Sequence, residues 1–159
     1  MESDTRRTAI VERIQAETGI DEALISTLVH EFYRTIRADE FLGPIFEARV
    51  EDWDSHLDRM CAFWSSVALM SGRYHGEPMA KHLPLPVDGA HFDRWLELFE
   101  ATCRRVCPPK AAEHFIVRAR RIAESLELGI TSHAGTFLQK GQRFRRASAD
   151  AGAADAVKA

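Results

Sequence analysis

The sequence predicts an all-α fold. Apolar residues recur at helical spacing in four long segments, and glycines and prolines separate these segments. No run alternates β-branched and polar residues between turn signals, which is the pattern of a strand. The 159 residues suffice for one domain with a hydrophobic core and are too few for two comfortable domains. We therefore expect about four long helices and some shorter ones around a single core.

The first quarter of the chain predicts two helices. A short helix is expected over residues 8–17, because Thr18 and Gly19 then interrupt the pattern. Asp21 is a good N-cap for the next helix, which is expected to run out near Asp39, before a turn at residues 42–44. Its apolar residues recur at helical spacing: Leu24, Leu28, Val29, Phe32 and Ile36.

A second long helix is expected to begin around Asp52 and to end at Ser71 and Gly72. One continuous face carries Trp53, His56, Met60, Phe63, Trp64 and Val67. His56 should therefore point inward, where a neutral imidazole must place one donor and one acceptor. It is either a satisfied core histidine or a functional one.

Residues 73–90 form a long irregular stretch around His82. Pro78 can open a short helix and Pro84 can close it almost at once, which fixes one imidazole among apolar neighbours. Loops of this length inside a compact domain are uncommon and are usually functional. His82 is compatible with an ordinary loop histidine and with an axial ligand to a flat apolar cofactor.

Two further helices complete the predicted core, and a tail follows. One is marked by Phe92, Trp95, Leu96, Phe99, Cys103 and Val106, and Pro108 and Pro109 stop it. The other is marked by Phe115, Ala119, Ile122 and Leu126, and it ends near Gly129. Residues 131–159 contain few large apolar groups, so we expect a flexible, disordered tail.

Composition excludes several classes of protein. The net charge of −3 and the isoelectric point near 6.2 give no sign of nucleic-acid binding. No apolar run is long enough to span a membrane, and the N-terminus lacks the apolar stretch of a secretion signal. Three cysteines without a Cys-x-x-Cys spacing argue against a disulfide framework or a zinc ribbon. We expect a cytoplasmic protein.

Three polar ring groups lie on helices whose apolar faces must meet. They are Tyr33, His56 and Trp95, which can either fill a core or converge as polar points in an apolar cavity opposite His82. An apolar cavity with a few convergent donors is the usual form of a small-ligand or cofactor pocket.

Several motifs in collinear order resemble the group III truncated haemoglobins over about residues 22–130. The matching segments are Glu-Phe-Tyr-Arg at 31–34, Leu-Gly-Pro-Ile-Phe at 42–46, Asp-Trp-Asp-Ser-His at 52–56, Phe-Trp-Ser-Ser at 63–66, Gly-Arg-Tyr-His-Gly-Glu-Pro-Met at 72–79, Lys-His-Leu at 81–83 and Phe-Asp-Arg-Trp-Leu-Glu-Leu-Phe at 92–99. The resemblance implies a truncated globin fold, which is a two-over-two helical sandwich around haem b with a short proximal helix. The expected division is an N-terminal extension at 1–20, a globin domain at 21–130 and a tail at 131–159.

The resemblance also implies roles for individual residues. His82 would be the proximal iron ligand, and Tyr33, His56 and Trp95 would line the distal side. There the tyrosine and tryptophan can hydrogen-bond a ligand, and the histidine would act more as a gate. The remaining haem contacts implied are Phe46 at the edge, Met60 and Phe63 from the distal helix, and Arg73, Tyr74 and Lys81 at the propionates.

The expected function is the binding of oxygen and related diatomic gases, NO and CO, with strong distal hydrogen bonding. A haem-dependent oxidoreductase, acting as a nitric oxide dioxygenase or a peroxidase-like enzyme with an unidentified reductase, is left open. The alternative from another class is a cofactor-free helical interaction or regulatory module, in which the inward aromatic rings are only core. That alternative leaves the proline-bounded turn at His82 unexplained.

Overall fold

The computed structural model describes residues 2–136, 138–139 and 141–146. Within these residues the chain forms seven helices and no strand, which confirms the all-α prediction. The helices are α1 (Glu2–Thr18), α2 (Glu22–Ala38), α3 (Gly43–Arg49), α4 (Trp53–Leu69), α5 (Pro78–His82), α6 (Gly89–Val106) and α7 (Pro109–His133).

Three aspartates fix the starts of the helices that carry the site. Asp21 accepts a hydrogen bond from the Leu24 amide at 2.8 Å, as its position before α2 predicts. Asp52 does the same at the start of α4, and Asp88 at the start of α6. Helix α4 ends at Met70, whose backbone is left-handed with φ of +59°, and Gly72 follows with φ of +73°.

The core lies where α2, α4, α6 and α7 cross. Each of these helices contributes one aromatic ring that is at most 2% exposed: Phe32, Trp64, Phe99 and Phe115. Trp64 stacks on Phe99 with ring centroids 4.8 Å apart, and Phe32 meets Phe99 edge-on at 5.1 Å. These offset and edge-on arrangements are the ones that aromatic quadrupoles favour.

The helices form two layers. Helix α2 packs against α4 and α6, and α6 packs against α7. In contrast, no Cα atom of α4 comes within 8 Å of α5 or α6 in this part of the chain. The backbones of α4 and of the α5–α6 region therefore stay more than 8 Å apart, and side chains such as Trp64 and Phe99 meet between them.

Two parts of the chain differ from the prediction. Helix α1 begins at Glu2, six residues earlier than expected, and it packs against the same core through the buried side chain of Ile14. Helix α7 continues through residue 131 to His133, and Phe144 beyond it is only 4% exposed. The expectation of a disordered tail is therefore wrong for residues 131–133, which continue α7, and for residues 142–146, which pack on the core. Phe144 anchors the second segment through its buried ring, and Arg143 and Arg146 hold it through hydrogen bonds.

The expectation of disorder for residues 147–159 falls outside the described residues, and the division of the chain at residues 20 and 130 stays a prediction. Among the residues described, no helix is both long enough and apolar enough to cross a bilayer.

Candidate functional site

Six apolar side chains at the edge of the two core clusters are only half-buried. They come from α3, from α4, from the segment that follows α5, and from α6: Phe46, Met60, Phe63, Leu83, Leu85 and Leu96. Large apolar groups that neither reach the core interior nor lie fully in solvent are typical of a cleft that takes an apolar ligand.

His82 stands at the last position of α5. Pro78 is the first residue of this helix, and the Leu83 amide donates to the Met79 carbonyl oxygen at 3.1 Å, so the helix is a single closed turn. The Nδ1 of His82 lies 2.6 Å from the Pro78 carbonyl oxygen. Because a carbonyl oxygen only accepts, Nδ1 carries the proton and Nε2 keeps a free lone pair. The turn thus holds the imidazole so that Nδ1 donates to the backbone, which leaves Nε2 as the atom for a metal ion.

His56 lies in the first turns of α4. Its Nε2 atom is buried and has no hydrogen-bond partner among the described residues. Burial is the main cause that lowers the pKa of His56 to about 4, and electrostatic interactions with Arg59, Lys81 and His82 lower it further. The interaction with His82 indicates that the two histidines lie near one another in the fold. The His56 imidazole is therefore neutral at neutral pH.

Tyr33 joins His56 on the distal side. Its ring meets the His56 ring edge-on, with centroids 5.1 Å apart at an interplanar angle of 90°. Burial raises the pKa of the phenol far above its ordinary value, so the hydroxyl keeps its proton and remains a donor. Phe46 contacts the same tyrosine edge-on at 5.8 Å. The structure thus brings Tyr33, His56 and Phe46 together.

Trp95 lies farther along the same aromatic cluster. Its ring stacks on Phe99 at 5.2 Å and meets Phe32 edge-on at 5.3 Å. Phe32 in turn contacts Tyr33 at 5.1 Å. Ring contacts within the described chain link Trp95 to Tyr33 through Phe32 rather than directly. The convergence of the Trp95 N–H with the other two distal groups therefore stays a prediction.

The three residues suggested for the propionates have different surroundings. Arg73 forms an ion pair with Glu22 at 2.9 Å, and its side chain is 58% exposed. Tyr74 packs edge-on against Phe63 with centroids 5.2 Å apart. Lys81 is exposed, one residue before His82. The structure places Tyr74 beside the cleft-lining Phe63 and Lys81 beside His82, whereas Arg73 is held by a carboxylate of α2.

Trp53 is a polar group that the sequence analysis treated only as part of an apolar stripe. Its Nε1 atom is buried without a partner among the described residues, and its ring meets His56 at 5.5 Å. The guanidinium of Arg37 lies 4.3 Å over the indole. Its position three residues before His56 on one helix face is the signal that could have found it.

The orphaned His56 nitrogen provides a test of whether a cofactor fits. Buried polar atoms in folded proteins nearly always have a partner, and an unpaired one needs an explanation such as a ligand. Here the unpaired nitrogen belongs to a histidine that lies near enough to His82 to interact with it electrostatically. A flat apolar group with a central metal ion fits this donor set.

An all-helical fold with one histidine on a short turn and a second histidine packed against a buried tyrosine is typical of the globins. The sequence model of the bacterial-like globins matches residues 15–127. The group 3 truncated haemoglobin Ctb of Campylobacter jejuni is 32% identical over 121 residues, which cover 73% of this chain and 95% of that protein. The chain belongs to the bacterial-like globin family and, within it, resembles the group III truncated haemoglobins in sequence and structure.

The likeness extends to three dimensions. The crystal structure of a group III truncated haemoglobin from Campylobacter jejuni superposes with a TM-score of 0.64 and 34% identity, covering 68% of this chain and 89% of that one. This confirms the truncated globin fold that the motifs predict.

Proposed function

We propose that this globin binds haem b through His82 and uses it to bind oxygen, nitric oxide and carbon monoxide. The observation that carries the proposal is the tautomer of His82 that the Pro78 carbonyl oxygen selects, and the buried, unpaired Nε2 of His56 among the described residues supports it. When bound, haem supplies an iron centre whose open position takes a diatomic ligand.

The chain's own residues then have distinct tasks. The Pro78 carbonyl oxygen orients the His82 ring and increases its basicity by accepting the Nδ1 proton. Phe46, Met60 and Phe63 exclude water from the distal side and pack on the ring of the cofactor, while Tyr74 and Lys81 are proposed contacts of the propionates. Arg73 serves there only after it leaves Glu22.

The distal residues decide how firmly a ligand is held. Tyr33 keeps its phenolic proton because of burial, and it lies in direct contact with His56. A donated O–H or N–H stabilises a ligand that carries negative charge more than a neutral one, since charge-assisted hydrogen bonds are stronger. We therefore propose that Tyr33 and Trp95 donate to the ligand and that neutral His56 controls its entry. Such a site favours oxygen or nitric oxide chemistry, or a peroxidase-like reaction, over oxygen delivery.

One experiment tests the haem proposal, and a second one tests the reaction. Full-length protein supplemented with haem should show a strong Soret band, and its absence would support the cofactor-free helical module instead. The reduced, oxygenated protein should then be mixed anaerobically with nitric oxide, followed by turnover with cellular extract as the source of reductase. Stoichiometric nitrate with repeated turnover supports a dioxygenase, whereas binding without turnover supports a store or sensor.

The proposed location is the cytoplasm. The three cysteines Cys61, Cys103 and Cys107 are free thiols in the structure, which agrees with a reducing compartment. The proposed partners are diatomic gases and an electron-donating reductase.

A further inference from the structure

Residues 142–146, which we call the strap, run back from the end of α7 to the loop between α5 and α6. The backbone amide of Gly89 donates to the Phe144 carbonyl oxygen at 2.8 Å. The amide of Phe144 donates to Oε2 of Glu127, whose side chain is 9% exposed, at 3.0 Å. The strap is thus tied by its backbone to the start of α6 and to the middle of α7.

Arg146 binds the loop that follows His82 at three points. Its backbone amide donates to Oδ2 of Asp88 at 3.1 Å, its Nε to the Val87 carbonyl oxygen at 3.0 Å, and its Nη2 to the Leu85 carbonyl oxygen at 3.3 Å. The Leu85 amide itself donates to the carbonyl oxygen of His82 at 3.0 Å. A continuous path of hydrogen bonds therefore leads from Arg146 to the backbone of His82.

Phe144 anchors the strap in an apolar cluster on the same side of the molecule. Its ring is 4% exposed and belongs to the cluster of Val87, Phe92, Ala123, Leu126 and Ile130. Leu83 and Leu85, in the loop that follows His82, are partly buried and pack against this cluster. The apolar contacts and the Arg146 hydrogen bonds thus converge on the same loop.

Arg143 and Gly89 show that the close approach of the strap is a specific fit. Arg143 donates to both Glu127 oxygens, at 3.2 and 3.0 Å, and to Oδ1 of Asp93 at 2.7 Å. A Cβ atom placed at Gly89 would lie 2.8 Å from the Phe144 carbonyl oxygen, a distance that real Cβ atoms essentially never show. The strap can therefore pass over this point of α6 only because the residue there is glycine.

We propose that the strap is a positioning element for His82, with Arg146 and Phe144 as its positioning residues. Pro78 fixes the turn before His82, and the strap fixes the loop after it, so that the imidazole has one orientation toward the cleft. The inference rests on the proposed role of His82 as the iron ligand. The strap lies outside residues 15–127, the part of the chain that matches the bacterial-like globins.

The test compares the full-length chain with its Arg146→Met and Arg146→Lys variants. Arg120→Met is the matched control, because the Arg120 side chain also joins two distant parts of the chain, by an ion pair with Glu100 at 2.6 Å, but lies far from the loop in sequence. Amide hydrogen exchange at Leu85 and Gly89 should become roughly tenfold faster in Arg146→Met and should stay unchanged in the control. Arg146→Lys keeps the charge but loses the planar fork, so it should show an intermediate rate.

The second readout is the iron–histidine stretching band in the resonance Raman spectrum of the reduced, haem-loaded protein. We expect this band to shift or broaden in Arg146→Met and in Phe144→Ala, and to be unchanged in Arg120→Met. If Arg146→Met binds haem but changes neither the amide exchange rates nor the iron–histidine band, the inference about the strap is overturned while the proposed function stands. A full-length chain that binds no haem, or that keeps the band after His82→Gly, overturns the proposed function and the purpose assigned to the strap with it.

Discussion

The Nδ1 atom of His82 lies 2.6 Å from the carbonyl oxygen of Pro78, four residues earlier in the same turn. This contact fixes both the tautomer and the direction of the imidazole, because a carbonyl oxygen has no proton to donate. Histidines that bind metals almost always donate their second ring N–H in this way. The prolines that bound the turn therefore have a chemical consequence as well as a structural one.

Replacing His82 with glycine should abolish the five-coordinate ferrous spectrum, and added imidazole should restore it. The reason is that Nε2 of His82 is the proposed protein ligand of the iron. Absorption spectra of the reduced protein with and without imidazole provide the measurement. His75→Gly is the control, because His75 is exposed. If His56→Gly removes the spectrum while His82→Gly keeps it, the two histidines have been assigned the wrong way round.

Trp95→Phe and Tyr33→Phe should each speed oxygen dissociation roughly ten- to a hundredfold. A hydrogen bond to a charged group contributes about 1.5–3 kcal/mol, and about 1.4 kcal/mol corresponds to a factor of ten. Carbon monoxide, which acquires little negative charge, should respond far less. Stopped-flow dissociation of both gases from the single and double variants measures this.

The control for these distal variants is Trp64→Phe, which removes an indole from the other face of Phe99. It should leave both dissociation rates unchanged. Equal acceleration of the two gases in Trp95→Phe would indicate a steric effect, and no change at all would place Trp95 in the core only.

His56 should make the folded protein less stable as the pH falls from about 6.5 to about 4. The folded pKa is about 4 and the ordinary value is 6.5, so the unfolded chain binds a proton in this window and the folded chain does not. His56→Gln should therefore flatten the pH dependence of the free energy of unfolding between these values. A slope that is the same in His56→Gln as in the parent protein contradicts the low pKa.

Asp39→Asn should destabilise the protein by about 1.5–3 kcal/mol at neutral pH. Burial alone would raise the pKa of Asp39, but hydrogen bonds from Arg94 and from the Leu42 amide outweigh it and lower the pKa. The carboxylate therefore stabilises the fold above its ordinary pKa, and this contribution is lost as the pH falls through the lowered folded value. Chemical denaturation at several pH values measures it.

Glu97→Gln is the matched control for Asp39, since Glu97 binds the same Arg94 at 2.8 Å but is 68% exposed. Exposed ion pairs contribute about 0–1 kcal/mol, so its effect should be small. Equal losses in the two variants would mean that burial does not set the strength of the Asp39 interaction.

A chain that ends after Arg146 should keep the melting temperature of the full chain, whereas one that ends after His133 should lose more than about 5 °C. The second truncation removes the buried side chain of Phe144, and the loss of such a side chain costs about 3–5 kcal/mol. In a protein of this length, each kcal/mol lowers the melting temperature by about 2–4 °C. Thermal unfolding and haem stoichiometry of both truncations provide the check. Equal melting temperatures for the two would show that residues 134–146 contribute nothing to stability.

The sequence by itself determined the helical class and the main candidates of the site. Apolar spacing is a local property, and together with the N-cap at Asp21 and the helix start near Asp52 it placed the long helices close to where the structure has them. The prolines around His82 are equally local, because they restrict the backbone of their own neighbours. The resemblance then added the globin fold and a distal role for Tyr33 and His56, two residues that the structure brings into contact.

Only the tertiary structure decided which groups meet across the chain. The sequence could not show that Phe144 and Arg146 return to the loop after His82, since that contact joins residues about 60 positions apart. It also could not show that the Trp53 indole N–H is buried without a hydrogen-bond partner in the described part of the chain, because burial of a polar atom depends on every element packed around it. Periodicity reports which face of a helix is apolar, but the partner of that face is fixed by packing, and packing is a property of the whole fold.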